Sequence, residues 1–356
     1  MNSYSIIGLM SGTSLDGLDI ANCSFTQSDK GSWEFTVNQT QTISYPDHLL
    51  EQIRKSTGIS TPELLKLNKV LGVFFADQVL HFLDVNNIDK KDIDAIASHG
   101  HTVFHQPNEG FTLQIGCGDT LSFKTGIPVL NDFRQKDVIA GGQGAPLVPI
   151  GDKLLFSNEA DAFLNIGGFS NVCFLNEPII AYDICPGNLP LNKIAQRLGK
   201  PYDNKGLFAS QGIVDKDLLA KLNSLVYYTL FNPKSLGTEW LEAHFIPLMN
   251  VDISPKNTLR TITEHIAIQI SSELNHHKTK SVMITGGGAK NSFLIERISA
   301  LYTGEIKIPT EEIVDFKEAI IFAFLGVLYL AKQSNCLASV TGAKKDVIGG
   351  VLHLPN

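Results

Sequence analysis

The stretch Ser5-Ile-Ile-Gly-Leu-Met-Ser-Gly-Thr-Ser-Leu-Asp-Gly-Leu-Asp-Ile-Ala-Asn-Cys-Ser-Phe25 decides the fold. Its apolar ends, residues 5–10 and 18–25, flank a cluster of Gly, Ser, Thr and Asp at 11–17. Two strand-like runs around such a cluster predict a β-hairpin with a wide turn. Residues 34–43 alternate as a third strand would. Thr61-Pro62-Glu63 then opens a helix, with Ser60 or Thr61 as cap and Pro62 at its first position. Leu64, Leu67, Leu71, Phe74 and Phe75 carry that helix to about Leu83. Residues 93–98 predict a short strand ending in a polar loop, Ser98-His-Gly-His-Thr102.

The middle of the chain repeats this opening. Residues 162–166 are strand-like, Gly167-Gly168 turns, and 171–175 and 179–182 are strand-like again. Asp183 stands at the end of the last run, and a helix is expected near Pro190. Duplication at this scale predicts two related domains facing each other. In the last third, Leu259, Ile262, Ile266, Ile270 and Leu274 share one helical face. Residues 282–285 form a buried strand feeding Gly286-Gly287-Gly288. Helices are expected at 291–301 and 315–331, the second with Ala319, Ala323 and Gly326 allowing close packing. Gly141-Gly-Gln-Gly-Ala-Pro146 reads as a hinge.

The 356 residues suit two domains, and 43% hydrophobic against 18% charged residues supports a sizeable core. A net charge of −7 argues against a nucleic-acid binder, which needs a basic surface, but not against a local nucleotide site. The apolar runs are too short for a signal or a membrane span. Five scattered cysteines without a CxxC pair read as reduced thiols in a cytoplasm.

The first turn offers backbone donors and small hydroxyls at a hairpin tip, which suits phosphate oxygens as well as an ordinary turn. It lacks the Gly-Lys-Ser/Thr of a Walker loop. Asn165-Ile-Gly-Gly-Phe-Ser-Asn171 is the same device in the second half. Thr285-Gly-Gly-Gly-Ala-Lys-Asn291 would let an adenine ring lie against the backbone, or is a plain strand-to-helix turn. Phosphoryl transfer needs a base, and Asp183 at a strand end is a candidate beside its reading as a helix cap. His99, His101 and His105 lack an acidic or thiol partner nearby, which favours substrate hydrogen bonding or a surface loop over a metal site. Arg134 in Asp132-Phe-Arg134 can hold a carboxylate in bidentate fashion or form a structural salt bridge.

Together these residues resemble the anhydro-N-acetylmuramic acid kinase family. The opening Gly8-Leu-Met-Ser-Gly-Thr-Ser-Leu-Asp-Gly-Leu-Asp19 is similar to its N-terminal signature. The likeness continues through Ser98-His-Gly100, Thr112-Leu-Gln-Ile-Gly116, Asn131-Asp-Phe-Arg134 and Ala140-Gly-Gly-Gln-Gly-Ala-Pro-Leu-Val-Pro149. Further on it includes Leu164-Asn-Ile-Gly-Gly168, Asp183 with Pro186-Gly-Asn188, and Pro233-Lys-Ser235 with Gly237 and Glu239. It ends with Gly286-Gly-Gly-Ala-Lys-Asn291, Glu318-Ala319 and Val340-Thr-Gly-Ala343.

The resemblance implies an α/β, two-domain actin-like (ribonuclease H-like) ATPase fold with a central nucleotide cleft. The expected division is 1–130, completed by 335–356, and 131–334. The implied reaction opens 1,6-anhydro-N-acetylmuramic acid with water and phosphorylates its 6-oxygen, giving N-acetylmuramic acid 6-phosphate and ADP in cell-wall recycling. Asp183 maps onto the catalytic base. Gly12, Thr13, Ser14, Asp16, Gly17 and Asp19 map onto the ATP-binding segment, with Gly167, Gly168, Gly286, Gly287, Gly288 and Asn291 as further nucleotide contacts. His99, Arg134, Asn188 and Glu318 fall on the substrate side. Leu9 stands where many actin-like relatives place a metal-organising Asp, so Mg²⁺ is expected mainly on the nucleotide, with Asp16 as a candidate ligand. A cytoplasmic homodimer is implied.

The chain departs from the family at His101, where many members have Gln, at Ile184-Cys185, where many have Thr-Gly, and at Asn192, where many have Asp. These positions bear on substrate preference. Levoglucosan, which lacks the lactyl carboxylate, is the alternative sugar. A non-catalytic ATP-binding protein on the same fold, or a silent regulator, is the alternative of another class.

Overall fold

The computed structural model describes residues 2–12, 15–230, 234–249 and 252–355. Contacts divide the chain into two units, one of residues 1–156 and 316–356 and one of residues 157–315. The crossings thus fall at Phe156/Ser157 and Asp315/Phe316, where the sequence reading placed 130/131 and 334/335. The first unit keeps the helices Gln135–Ile139 and Pro149–Leu155. Gly151 of the latter lies so close to Ile321 that a Cβ would stand 2.6 Å from its Cγ1.

Among the described residues the first unit holds β1 (Asn2–Ser11), β2 (Leu18–Gln27), β3 (Trp33–Ile43), β4 (Ala95–Gln106), β5 (Phe111–Ile115) and β6 (Val129–Asn131). The second holds β7 (Ala162–Ile166), β8 (Phe169–Phe174), β9 (Ile180–Pro186), β10 (Ser281–Thr285) and β11 (Glu305–Lys307). The chain then returns to the first with β12 (Val351–His353). The first sheet runs β12-β6-β4-β1-β2-β3, with β5 on β4, and the second runs β11-β10-β7-β8-β9. In each, two antiparallel pairings join the first three strands, and the first strand pairs in parallel with the next one inward. The expected duplication is therefore a shared strand order, the ribonuclease H-like arrangement.

β1 is apolar on both faces because both faces are covered. Ile7 and Leu9 join a core with Leu71, Phe75, Val79 and Phe82 of the helix Thr61–Val85. Gly8 faces the helix Glu311–Leu330, where a Cβ would stand 3.1 Å from that of Ala323. Gly326 lets the same helix approach Ala97. The start of Thr61–Val85 is held as expected: the Ser60 amide donates to the Glu63 carboxylate at 2.9 Å. In the second unit the helix Pro255–His276 buries Leu259, Ile262, Ile266, Ile270 and Leu274 completely.

Three local expectations change. The polar segment after Ser98 is strand, because β4 continues to Gln106 and pairs with β5, His101 opposite Ile115. Gly100 makes this close pairing possible: it has φ 71°, and a Cβ there would stand 2.7 Å from the Ile115 carbonyl oxygen. Asp183 lies inside β9, opposite Asn171, and the strand runs on to Pro186. The 141–146 segment lies within the first unit and is tied down. The buried Asp137 carboxylate accepts from the Gly144 amide and the Thr341 hydroxyl, both at 2.8 Å, and Gln143 N–H bonds the Thr341 carbonyl. Such pinning removes the freedom a hinge needs. Among the described residues no helix is long and apolar enough to cross a membrane. All five cysteines are free thiols.

Candidate active site

The hairpin turn of the first unit has the features of a close-approach loop. Leu15 N–H bonds the Gly12 carbonyl at 3.2 Å, and Leu15 itself takes φ 63°, a conformation rare outside Gly, Asn and Asp. Gly17 has φ 155°, and a Cβ there would stand 2.6 Å from the Ile43 carbonyl oxygen. Asp16 is exposed. Asp19 belongs to β2 and accepts the Thr42 hydroxyl at 2.6 Å. Thr13 and Ser14 lie outside the described residues.

Beneath this turn, Tyr45 donates to Ser11 Oγ at 2.7 Å, and Ser11 bonds His101 Nδ1 at 3.0 Å. The Ser11 hydroxyl thus links Tyr45 to the His101 ring and commits Nδ1 to it. Burial holds the His101 pKa down at about 4. His99 uses both ring nitrogens: Nδ1 bonds the Gly100 carbonyl at 2.8 Å, and Nε2 accepts from Arg134. Burial and the neighbouring guanidinium push its pKa well down, so it is a neutral acceptor. Arg134 also donates from Nη1 to the Gly144 carbonyl at 2.9 Å. These bonds use three of the five N–H groups a guanidinium owns. Arg134 is half-buried, and burial lowers its pKa against the pull of Glu318.

Glu318 is exposed, yet surrounding protein desolvates its carboxyl and raises its pKa against the pull of Arg134 and Lys317. Lys317 is itself held by Asp152 at 2.7 Å. His99, Arg134 and Glu318 thus form one electrostatic cluster, in which both ring nitrogens of His99 are engaged by the protein.

In the second unit the turn at Gly167 and Gly168 is tightly packed by the segment after β9. Gly187 N–H bonds the Gly168 carbonyl at 2.8 Å, and Asn188 N–H bonds that of Gly167 at 2.9 Å. The Asn188 side chain donates to the Ile166 carbonyl at 3.2 Å. Gly286 takes φ 80° and abuts β7, where a Cβ would come 2.9 Å from the Ile166 carbonyl oxygen. Gly288 packs against the Ile166 side chain. Packing alone therefore demands these two glycines, whereas a Cβ on Gly287 would meet only Asn188 Nδ2, at 3.6 Å. Asn291 caps the helix Ser292–Leu301, its Oδ1 accepting from the Leu294 amide at 3.1 Å.

Asp183 is half-buried. Burial raises its pKa, and a hydrogen bond from the Leu236 amide to Oδ2, at 2.8 Å, opposes the rise. Among the described residues that amide is the one donor to the carboxylate. Tyr227 bonds the Asp183 carbonyl at 2.6 Å. Neither Leu236 nor Tyr227 was singled out from sequence. Pro233-Lys234-Ser235 with Gly237 and Glu239 was the signal nearby, and it carried no assigned role.

Among the described residues no group of three or more His, Cys, Asp or Glu side chains is placed to hold a metal ion. Asp16 stands alone at the first turn, and Asp19 is engaged by Thr42. The residues fit a metal carried on a nucleotide better than a protein cage.

Two sheets of one strand order, each with a glycine turn at its first hairpin, define a protein of the actin-like ATPase fold class. A family model described as anhydro-N-acetylmuramic acid kinase matches residues 4–355. An anhydro-N-acetylmuramic acid kinase of Sulfurovum sp. (strain NBC37-1) is 34% identical, covering 99% of each chain. One from Francisella tularensis subsp. novicida (strain U112) is 37% identical, over 99% of this chain and 100% of the relative. The chain belongs to the anhydro-N-acetylmuramic acid kinase family.

Proposed function

We propose that this chain takes ATP and 1,6-anhydro-N-acetylmuramic acid to N-acetylmuramic acid 6-phosphate and ADP, in the recycling of peptidoglycan. The anhydro sugar has no free 6-hydroxyl, so its bridge must open before or as the phosphoryl group is received. Water adds its hydroxyl to the anomeric carbon, the bond from that carbon to O6 breaks, and O6 takes the γ-phosphoryl group. The water proton passes to Asp183.

One observation carries this reading: among the described residues one backbone amide, on Oδ2, donates to the Asp183 carboxylate, within a partly desolvated setting. That leaves Oδ1 to receive a proton, and a raised pKa brings the carboxylate closer to the basicity a general base needs near neutrality. Arg134 pairs with the lactyl carboxylate through its two uncommitted N–H groups, with His99 fixing its orientation and Glu318 and Asn188 on the sugar side. Backbone donors around Gly12, Thr13, Ser14 and Gly17, and at Gly168 and Gly287, serve the nucleotide, while Gly167, whose N–H bonds the Phe169 carbonyl at 3.1 Å, shapes the second turn. Gly286, Gly288 and Asn291 shape that last turn from behind. Mg²⁺, when bound, neutralises charge on the phosphates, and Asp16 is the residue of this chain that would reach it. The working form is taken to be a cytoplasmic homodimer.

The test is incubation with MgATP and the anhydro sugar in ¹⁸O-water. The product should be a muramic acid 6-phosphate with label on the anomeric hydroxyl and none in the phosphate. Label in phosphate would mean ATP hydrolysis instead.

A further inference from the structure

The segment carrying Lys234, Ser235 and Leu236 runs beside β9, and it engages Asp183 twice. Asp183 N–H bonds the Lys234 carbonyl at 3.4 Å, and Leu236 N–H bonds Asp183 Oδ2 at 2.8 Å. The segment is 53 residues away in sequence, so something must hold it there. Its Lys234 side chain does so. That side chain is 4% exposed, with Nζ 5.3 Å from the ring centre of Tyr182 and 5.2 Å from that of Tyr227. Nζ also reaches Glu273 Oε1 at 3.3 Å. Tyr182, the residue before Asp183, donates to the other Glu273 oxygen at 2.8 Å. A buried lysine without such partners would be costly, and here two aromatic faces and a carboxylate receive it.

We propose that Lys234 is a positioning residue for Asp183: anchored by Glu273 between Tyr182 and Tyr227, it holds the Leu236 amide on the Asp183 carboxylate. This rests on the reading of Asp183 as base. The anchor sets both the direction of the carboxylate and its basicity, since the Leu236 bond favours the charged form. The titratable groups around Asp183 are few. Tyr227 donates to its carbonyl, Cys185 is a buried thiol whose pKa burial raises, and Glu273 is tied to Lys234 and Tyr182. His277 lies beyond Tyr182, stacked on Phe174. None of them donates to the Asp183 carboxylate.

Lys234→Met keeps the apolar stem and removes the anchor. The acid limb of its kcat–pH profile should move up by about one pH unit, the scale of one hydrogen bond to a charged group. Lys234→Arg should restore much of the wild-type limb, and Glu273→Gln should move it in the same direction as Lys234→Met. An equal fall in kcat at every pH, with the limb unmoved, would assign Lys234 a packing role and overturn the proposal. A second measurement does not use activity. The pH dependence of Tm should differ between wild type and Lys234→Met, partly through the unpaired Glu273, and the difference should shrink when both carry Asp183→Asn. If it is undiminished in the Asp183→Asn background, Lys234 does not act through that carboxylate. If Asp183→Asn retains turnover, the base assignment fails on its own, and the Tm comparison still judges the link.

Discussion

His99 Nε2 receives two N–H groups of Arg134, from Nε at 3.2 Å and from Nη2 at 2.9 Å. One neutral imidazole thus sets the plane of the guanidinium. Lysine has no such plane and cannot satisfy His99 and the Gly144 carbonyl together. Arg134→Lys should raise KM for anhydro-N-acetylmuramic acid by about 10- to 100-fold, with KM for ATP nearly unchanged. Steady-state kinetics on anhydro sugars with and without the lactyl group check this. Equal losses on both would leave the arginine a structural part.

Asp183→Asn keeps the side-chain size and the acceptor for Leu236. Turnover should fall by at least about 10²-fold while calorimetry still shows both ligands binding. Because burial raises the folded-state pKa of Asp183, ionising it costs stability above that pKa, and the cost vanishes below the ordinary carboxylate pKa of about 4. The variant should therefore match or exceed wild-type Tm near neutrality and lose that advantage in acid. Wild-type activity in this variant would make Asp183 a structural residue and point the search to Glu239 or Glu318.

His101 carries the opposite sign. Its pKa falls from 6.5 to about 4 on folding, so the folded state is fully favoured above 6.5 and loses that contribution as pH drops toward 4. The displacement is worth about 3 kcal/mol at most. His101→Gln offers Ser11 an acceptor that does not titrate. Chemical unfolding at pH 7 and pH 4.5 should show a smaller loss of stability for the variant than for wild type. Equal losses would mean that His101 is solvated enough to charge freely.

Gly17→Ala should destabilise the first unit by about 1–3 kcal/mol, because a Cβ there meets the Ile43 carbonyl. Gly31→Ala is the control. Gly31 shares a positive φ, 86°, but has nothing within 4 Å, so its loss should be smaller. Thermal unfolding of the two variants decides whether close approach or backbone conformation dominates.

Much of this architecture is legible in local sequence, and the parts that are not share a cause. The first hairpin, the Ser60–Glu63 cap and the buried face of Pro255–His276 depend on neighbours within a few residues. The run of three antiparallel strands in each half is legible too, once the second glycine turn is recognised, but the parallel partners, β4 for β1 and β10 for β7, lie far along the chain. By contrast, Ser98 to Thr102 reads as a loop because its residues are polar, while its burial is decided by Ser11 and Arg134. Gly141 to Pro146 reads as loose, and Asp137 and Thr341 fasten it. In the candidate site, Asp183 follows from family motifs, but the amide that tunes it comes from Leu236. Periodicity and turn chemistry do not report on contacts between residues so far apart.

The order of the two units along the chain bears on synthesis at the ribosome. Residues 157–315 are one uninterrupted piece, whereas the first unit needs the segment from Phe316 onward. Its β6 edge closes only when β12 arrives, and His353 bonds Asn131 across 222 residues. A nascent chain, emerging N-terminus first, can complete the inserted unit while β1 still waits for the helix that covers Gly8. The half translated first is thus the half finished last.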